Sequence, residues 1–384
     1  MAFLCAIISS TIAASAACVT DLDCSNNGVC ASGGRCNCDP AWLGAACSTL
    51  NLLPATRGHG LHSADAPVHN TSSWGGSVLK GEDGRYHMWA SELVNHCGLN
   101  LWTSNSHVVH AVASEPDAAY AVVDEVHGVF SHEPSLVRGP GGEYVMYFIM
   151  GHPITAFDDP VQPCVCDASG VGGSSPMCDT SATWRNGTFM MYAASPDGPW
   201  SAPLEVLPHP LGPVDSNLAV VIAANGSLVG LTRKIPSGPQ GSEIHLLTAA
   251  DWKDKSTYKQ AGVALFPDSI ISNFGLEDPY VYLDTKGRYH AIFHNMLNND
   301  DQTTCGSHAT SDDGIAWTFT GTAYGNKVQY TDGTSTTFSR RERPHLIIND
   351  QGQPTHLTTG VVAGDNKGCC DDNSYTHVQP IQEA

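Results

Sequence analysis

Five stretches of the sequence repeat one pattern, and this repeat constrains the fold more than any other feature. Each stretch starts with a short run of β-branched, aliphatic or aromatic residues, reaches a glycine nine positions after its first residue, and continues into a second such run. A strand, a polar glycine turn and another strand form a β-hairpin. The first positions of the five repeats are Gly75, Glu133, Asn217, Asp278 and Arg343, and the matching glycines are Gly84, Gly142, Gly226, Gly287 and Gly352.

A third strand pattern follows most of the hairpins and ends in a turn and an aromatic residue, as in "SHATSDDGIAW". With a fourth, outer strand such a unit is one blade of a β-propeller, a fold built by repetition. We therefore predict an all-β protein: a five-bladed β-propeller over residues 65–384, with a Gly-, Pro- and Cys-rich insertion at about 151–181.

The region before the repeats has a different character. Residues 1–16 are apolar and end in Ala14-Ser15-Ala16, which is the small-x-small pattern of a signal peptidase site. Six cysteines between Cys18 and Cys47 predict a small disulfide-stapled module over residues 17–50, followed by a linker at 51–64. We expect a secreted, extracellular protein, and spacing alone leaves the disulfide pairing open.

Composition bears on the partners. The chain has 38 acidic and 18 basic residues and a net charge of -20, which would repel a phosphate backbone, so nucleic acid is not an expected partner. After the N-terminal region no apolar run is long enough for a membrane span. Three Asn-x-Ser/Thr motifs predict glycosylation on the secretory route, at Asn70, Asn186 and Asn225.

Candidate site residues come from the starts of the repeats, because the first strand of every blade lines the channel of a propeller. The guanidinium groups of Arg341 and Arg343 suit a carboxylate, a sulfate or hydroxyl pairs, and their alternative role is an internal ion pair with Asp278 or Glu133. Trp74 either stacks on the ring face of a ligand or packs within its blade. The substrate-binding candidates are Trp74, His132, Asp215, Asn217, Arg341, Glu342 and Arg343.

The cysteine-rich segment "CVTDLDCSNNGVCASGGRCNCDPAWLGAAC" resembles an epidermal-growth-factor-like (EGF-like) module. One residue separates its fourth and fifth cysteines, and its last loop carries the aromatic residue and the glycine of that family. The resemblance implies that the module is a spacer or a binding site for a protein partner. It also implies the disulfides Cys18 with Cys30, Cys24 with Cys36, and Cys38 with Cys47.

The repeats themselves, through "HEPSLV", "LEDPYVYL" and "SDDGIAW", resemble the five-bladed β-propeller glycosidases of glycoside hydrolase family 43 and its arabinanase, levansucrase and invertase relatives. The resemblance implies an oligo- or polysaccharide substrate and Glu277 as the general acid. Its neighbour Asp278 is expected to raise the pKa of Glu277.

The chain departs from that family at two positions. Gly75 stands where the family has its catalytic base, an aspartate, and Asn217 stands where a second aspartate orients the acid. We expect Glu133 to act as the base, with Asp65, Glu92 and His96 as alternatives.

Histidines are the remaining candidates. His294 and His308 of blade four are near enough in sequence to reach the pocket, whereas His107 and His110 lie on opposite faces of one strand. The chemistry requires no cofactor, but the resemblance allows a structural calcium ion in the channel, with His345 as a ligand by position.

Two functions stay open. One is a secreted glycoside hydrolase that acts on an extracellular or cell-wall polysaccharide. The other is a glycan-binding, matrix or adhesion protein that kept the propeller and lost the blade-one aspartate.

Overall fold

The computed structural model describes most of the chain, and its regular structure is almost entirely β-strand. The part of the chain that the structure describes has one short α-helix, α1, which spans Trp102–Asn105. Among the described residues no helix has the length and apolarity to cross a membrane. The described residues are 17–66, 71–153, 184–207, 217–234, 243–265, 275–296, 305–364 and 374–383. The predicted insertion at about 151–181 lies almost wholly outside them.

The N-terminal module contains two small hairpins stapled by disulfides. Its strands are β1 (Gly28–Cys30), β2 (Cys36–Cys38), β3 (Trp42–Leu43) and β4 (Thr49–Leu50). The disulfides join Cys18 to Cys30, Cys24 to Cys36, and Cys38 to Cys47, which are the pairs that the resemblance implies.

Five antiparallel sheets follow, and within each sheet the strands lie in chain order, as a propeller requires. Blade one is β5 (Ser72–Lys80), β6 (Tyr86–Leu93), β7 (Ser106–Ala113) and β8 (Ala121–His127). Blade two is β9 (Ser131–Arg138), β10 (Tyr144–Pro153), β11 (Trp184–Ala193) and β12 (Leu204–Leu207). Blade three is β13 (Ala219–Ile222), β14 (Leu228–Lys234), β15 (Glu243–Ala249) and β16 (Lys259–Leu265). Blade four is β17 (Leu276–Leu283), β18 (Tyr289–Asn295), β19 (Gly306–Ser311) and β20 (Thr318–Tyr324).

Blade five has three strands, β23 (Arg340–Ile348), β24 (Pro354–Val362) and β25 (Ser374–Pro380), and a small hairpin of β21 (Lys327–Gln329) and β22 (Ser335–Thr337) precedes it. The segment predicted as a linker supplies the missing outer contacts: Leu61 pairs with Thr376 of β25, and Gly60 pairs with Ala119 of blade one. The segment therefore fastens the last blade to the first.

The first positions of the five repeats share one unusual backbone geometry. All five have a positive φ, between 22° at Asn217 and 66° at Gly75. In blades one, two, four and five the pairing of the inner strand also shifts register at this point. A β-bulge with a left-handed residue re-aims that side chain relative to the strand. The repeat thus places five re-aimed positions around the channel.

The EGF-like module packs against blades four and five instead of standing apart from them. Trp42 is buried and its ring lies 4.8 Å from that of His308. Arg288 donates to the backbone carbonyl of Asn26 at 2.6 Å, and the Asn26 amide donates to Thr310 at 3.1 Å. Trp42, Leu50 and the cystines share one apolar cluster with residues of both blades.

Replacing Arg288 with methionine is expected to lower the free energy of unfolding by about 1.5–3 kcal/mol, because its charge-assisted hydrogen bonds to the module are lost. Arg85 is the matched control, since it occupies the same place in the blade-one "GRYH" repeat and bonds its own aspartate, Asp83, but is half exposed. The Arg85→Met loss should stay below about 1 kcal/mol. Urea unfolding measures both, and equal losses would show that docking of the module does not depend on Arg288.

Candidate active site

One buried arginine, Arg343 of blade five, occupies the centre of the channel. Its backbone N–H donates to Asp278 Oδ2 at 3.2 Å, and Nη1 lies 3.4 Å from Asp278 Oδ1. Nη2 donates to the backbone carbonyl of Glu133 at 2.8 Å, and Nη1 lies 3.6 Å from Glu133 Oε2. The Asn217 amide also donates to Asp278. Four of the five first positions of the repeats are therefore in contact with one another. Arg343 forms internal ion pairs with Asp278 and Glu133, which is one of the two roles expected for it.

Gly75 is the fifth first position, and Arg343 explains its identity. A Cβ atom at Gly75 would lie 2.7 Å from Arg343 Cγ, closer than real Cβ contacts allow, and its φ of 66° disfavours any side chain. The arginine thus fills the space into which a blade-one aspartate would project.

A second group of charges lies beside this centre. His294 of β18 stands opposite Glu277 of β17, with Nδ1 2.7 Å from Glu277 Oε1, and Arg233 of β14 binds the other oxygen of Glu277. Arg340 makes two 2.7 Å bonds to Glu342. His294 Nε2 lies 3.9 Å from Glu342 Oε1. The imidazole therefore stands between two carboxylates, each of which is held by an arginine.

These contacts decide the protonation of the group. Burial raises the pKa of Glu277, but the charges of Arg233 and His294 outweigh it and lower the pKa to about 2. Burial lowers the pKa of His294, but Glu342 and Glu277 raise it to about 9. The expectation that Asp278 raises the pKa of Glu277 is wrong, because Asp278 faces Arg343 while the direct partners of Glu277 are cations. At neutral pH the proton resides on His294.

The aromatic side chain that is partly exposed beside this group is Trp102, whereas the predicted one, Trp74, is buried. Trp74 is buried against Gly360, and the guanidinium of Arg340 lies 5.2 Å from its ring, so Trp74 packs within the fold and does not face a sugar. Trp102 of α1 is partly exposed and stacks on His132 at 5.0 Å. His132 is buried, and burial together with Arg343 lowers its pKa well below the usual range. His132 therefore packs against the buried face of the Trp102 ring.

Two further candidates are buried within blade five. Arg341 is fully buried and donates to the carbonyl of Gly325 and to Gln379 Oε1, so it is not the predicted rim fork. His345 is also buried, and neither of its ring nitrogens has a hydrogen-bond partner among the described residues.

The described residues do not fit a calcium ion at His345. Calcium takes six to eight oxygen ligands, whereas the channel group with atoms close enough to hold an ion, within 4.8 Å of one another, comprises Glu277, His294 and Glu342. That group offers one nitrogen and two carboxylates, and it does not include His345. Calcium in the channel stays a prediction.

The remaining candidates have simple outcomes. Asp215 and Asn70 lie outside the described residues, and of Asn186 only the backbone, within β11, is described. Asn225 is exposed in the turn between β13 and β14. Of the alternative bases, Glu92 is bonded between His62 and His107, and Asp65 pairs with Arg57.

Two arginines of this group, Arg340 and Arg233, are not among the residues predicted from the sequence, although weak signals for them exist. Arg340 begins the run "RRERP", one position before the three residues chosen as candidates. Arg233 lies at the end of a second strand, where no repeat alignment draws attention. His294 was recognised as near the pocket, whereas His308 instead lies beneath the EGF-like module.

Comparison with known proteins agrees with both parts of the architecture. Residues 20–49 match the Teneurin-like EGF domain family. Among solved structures the chain is similar to the family 117 glycoside hydrolase of Zobellia galactanivorans, with a TM-score of 0.53, 10% identity, 90% of this chain and 91% of that one. For the α-L-arabinofuranosidase of Podospora anserina in complex with cellotriose the TM-score is 0.51 at 11% identity, over 88% of this chain and 96% of that one. For a thermostable family-43 glycoside hydrolase the TM-score is 0.51 at 12% identity, over 81% of this chain and 89% of that one. None of the curated proteins matches the sequence.

At these identities the likeness shows the fold. The protein is a five-bladed β-propeller of the architecture that these glycoside hydrolases share, preceded by an EGF-like module with three disulfides.

Proposed function

We propose that the protein is a secreted glycoside hydrolase that acts on an extracellular or cell-wall polysaccharide. One observation carries the proposal: the imidazole of His294 stands between two carboxylates, with Nδ1 2.7 Å from Glu277 Oε1 and Nε2 3.9 Å from Glu342 Oε1. The disulfide-rich module supports an oxidising, extracellular location. A protein partner for the module stays a prediction.

The chemistry follows from the two sides of the imidazolium. Glycoside hydrolysis needs one group that donates a proton to the leaving oxygen and one ionised carboxylate that activates water or attacks the sugar. His294 Nδ1–H is held by Glu277, which leaves the Nε2–H for transfer to the glycosidic oxygen as the C–O bond breaks. Glu342 then acts as the ionised partner, and Glu277 is a positioning residue that stabilises the imidazolium.

Glu133 and Asp278 have a different role in this proposal. Both are bound to Arg343 in the buried centre. Glu133 Oε1 also lies 3.6 Å from His132 Nε2. The two carboxylates hold Arg343 in its place beside Gly75. The partly exposed ring of Trp102, which stacks on His132, is placed to contact a sugar.

A second function is favoured by one specific observation, the filling of the Gly75 site by Arg343. A propeller with a buried arginine in the place of the blade-one carboxylate has the fold of these glycosidases without their usual base. Such a protein would bind a glycan without cleaving it.

The experiment compares wild type with Glu277→Gln on a panel of polysaccharides, measuring both binding and released reducing sugar. We expect wild type to cleave at least one glycan, and Glu277→Gln to bind it equally but cleave it at least about tenfold more slowly, because the imidazolium loses its anionic partner. Glu243→Gln is the matched control, since Glu243 forms a similar pair with His245 in blade three.

Binding without cleavage across the panel would reject the hydrolase and support the second function. Absence of both binding and cleavage would reject both functions.

A further inference from the structure

Arg341 carries a buried charge that no carboxylate among the described residues balances. Its guanidinium donates to the carbonyl of Gly325 at 2.9 Å and to Gln379 Oε1 at 2.8 Å, and it lies 5.1 Å from the centre of the Tyr324 ring. All three partners are neutral. By contrast, Arg233, Arg340 and Arg343 each contact a carboxylate. An ionised group in the interior is costly unless it is paired.

Several polar atoms near Arg341 also lack hydrogen-bond partners. Among the described residues these atoms include Arg341 Nε, Tyr324 Oη, Thr359 Oγ1 and both ring nitrogens of His377. All four side chains are at most 2% exposed. Since nearly all buried polar groups in folded proteins are hydrogen-bonded, a cluster of such atoms indicates a bound group that accepts hydrogen bonds from the donors among them.

Strand register shows that Arg341, Thr359 and His377 share one face of blade five, and the ring of Tyr324 faces Arg341 from the end of β20 in blade four. Arg341 stands opposite Val361 of β24, yet its guanidinium reaches Gln379, which stands opposite Leu357. The Thr359–His377 pair lies between those two levels, and alternate residues of a strand share a face. The arginine side chain therefore runs past Thr359 and His377. Burial and the charge of Arg341 lower the pKa of His377 to about 3, as expected for a neutral imidazole near a guanidinium.

We propose that this cluster binds one small inorganic monoanion, chloride in particular, between Arg341, Tyr324, Thr359 and His377. The guanidinium supplies the single positive charge, and the phenol, the hydroxyl and the ring N–H supply neutral donors. One cation matches a monovalent anion, and the enclosed position favours a small one. Burial keeps the pKa of Tyr324 well above its usual range, so its hydroxyl remains a donor.

The binding test measures thermal unfolding in sodium chloride and in sodium gluconate at equal ionic strength. Wild type is expected to melt several degrees higher in chloride, with a saturating dependence on concentration, because a ligand that binds the folded state stabilises it. Arg341→Met should lose this dependence. Arg85→Met, which removes an arginine from the surface of blade one, should keep it.

The location test uses crystals of the wild-type protein soaked in sodium bromide, and it does not depend on whether Arg341→Met folds. An anomalous peak in contact with Arg341 Nε and His377 is the expected result. Ordered water only at that position, or equal melting temperatures in chloride and gluconate, would overturn the proposal. So would a chloride dependence that Arg341→Met retains in full.

Discussion

Replacing Arg343 with methionine is expected to lower the free energy of unfolding by about 3–5 kcal/mol, because the change leaves buried carboxylates without their cation. Asp278 is 3% exposed and Glu133 is 8% exposed, so water cannot take the place of the guanidinium. Methionine keeps most of the aliphatic volume over Gly75, which separates the loss of charge from the loss of packing. Urea unfolding of the full chain measures the effect.

The double variant Arg343→Met with Asp278→Asn provides the control. Removing the carboxylate together with the arginine leaves no unpaired charge at that contact, so at least half of the lost stability should return. If Arg343→Met costs less than about 1 kcal/mol, or if the double variant is less stable than the single one, the ion pair does not hold the channel centre together.

Replacing His294 with glutamine is expected to lower kcat on the cleaved glycan by about 10²- to 10⁴-fold, which is the usual contribution of a general acid. Glutamine keeps a hydrogen-bonding side chain between the two glutamates but has no proton to donate. His245→Gln is the matched control, since His245 pairs with Glu243 outside the channel and its loss should leave kcat unchanged. Wild-type turnover by His294→Gln would show that the proton comes from elsewhere.

The pH dependence has a defined sign. The pKa of His294 is raised from 6.5 to about 9 on folding, so the stabilisation from its charged form is complete below pH 6.5 and is lost as pH rises through about 9. Activity should decline over the same upper range, because the donor loses its proton there. In Glu277→Gln the upper limb should move to lower pH, because one of the three carboxylates that raise this pKa is gone.

The propeller could be predicted from sequence because its repeat is local. The glycine nine residues after the first position and the strands on either side of it lie within a few residues, so a single alignment locates the hairpin of every blade. The same alignment identified the five positions that the structure aims at the channel. The three EGF-like disulfides are the pairs that the family resemblance implies, whereas cysteine spacing alone leaves the pairing open.

The electrostatics of the site could not be predicted in the same way, because they depend on which way neighbouring side chains point. Glu277 and Asp278 are adjacent in sequence, but the left-handed φ of Asp278 directs the two carboxylates to different cations. Arg233 reaches Glu277 from another blade. The occupation of the Gly75 site by Arg343 is also a contact between blades, and repeat alignment treats the blades one at a time.

A titration of the His294 ring tests the central claim most directly, since the proposed chemistry depends on a proton held between Glu277 and Glu342. NMR of the full chain with labelled histidine, assigned by the signal that disappears in His294→Gln, gives the pKa of this one group. A pKa of about 9 is the predicted result. A ring that loses its proton at or below the ordinary value of 6.5 would contradict it, and His294 would then not be the proton donor.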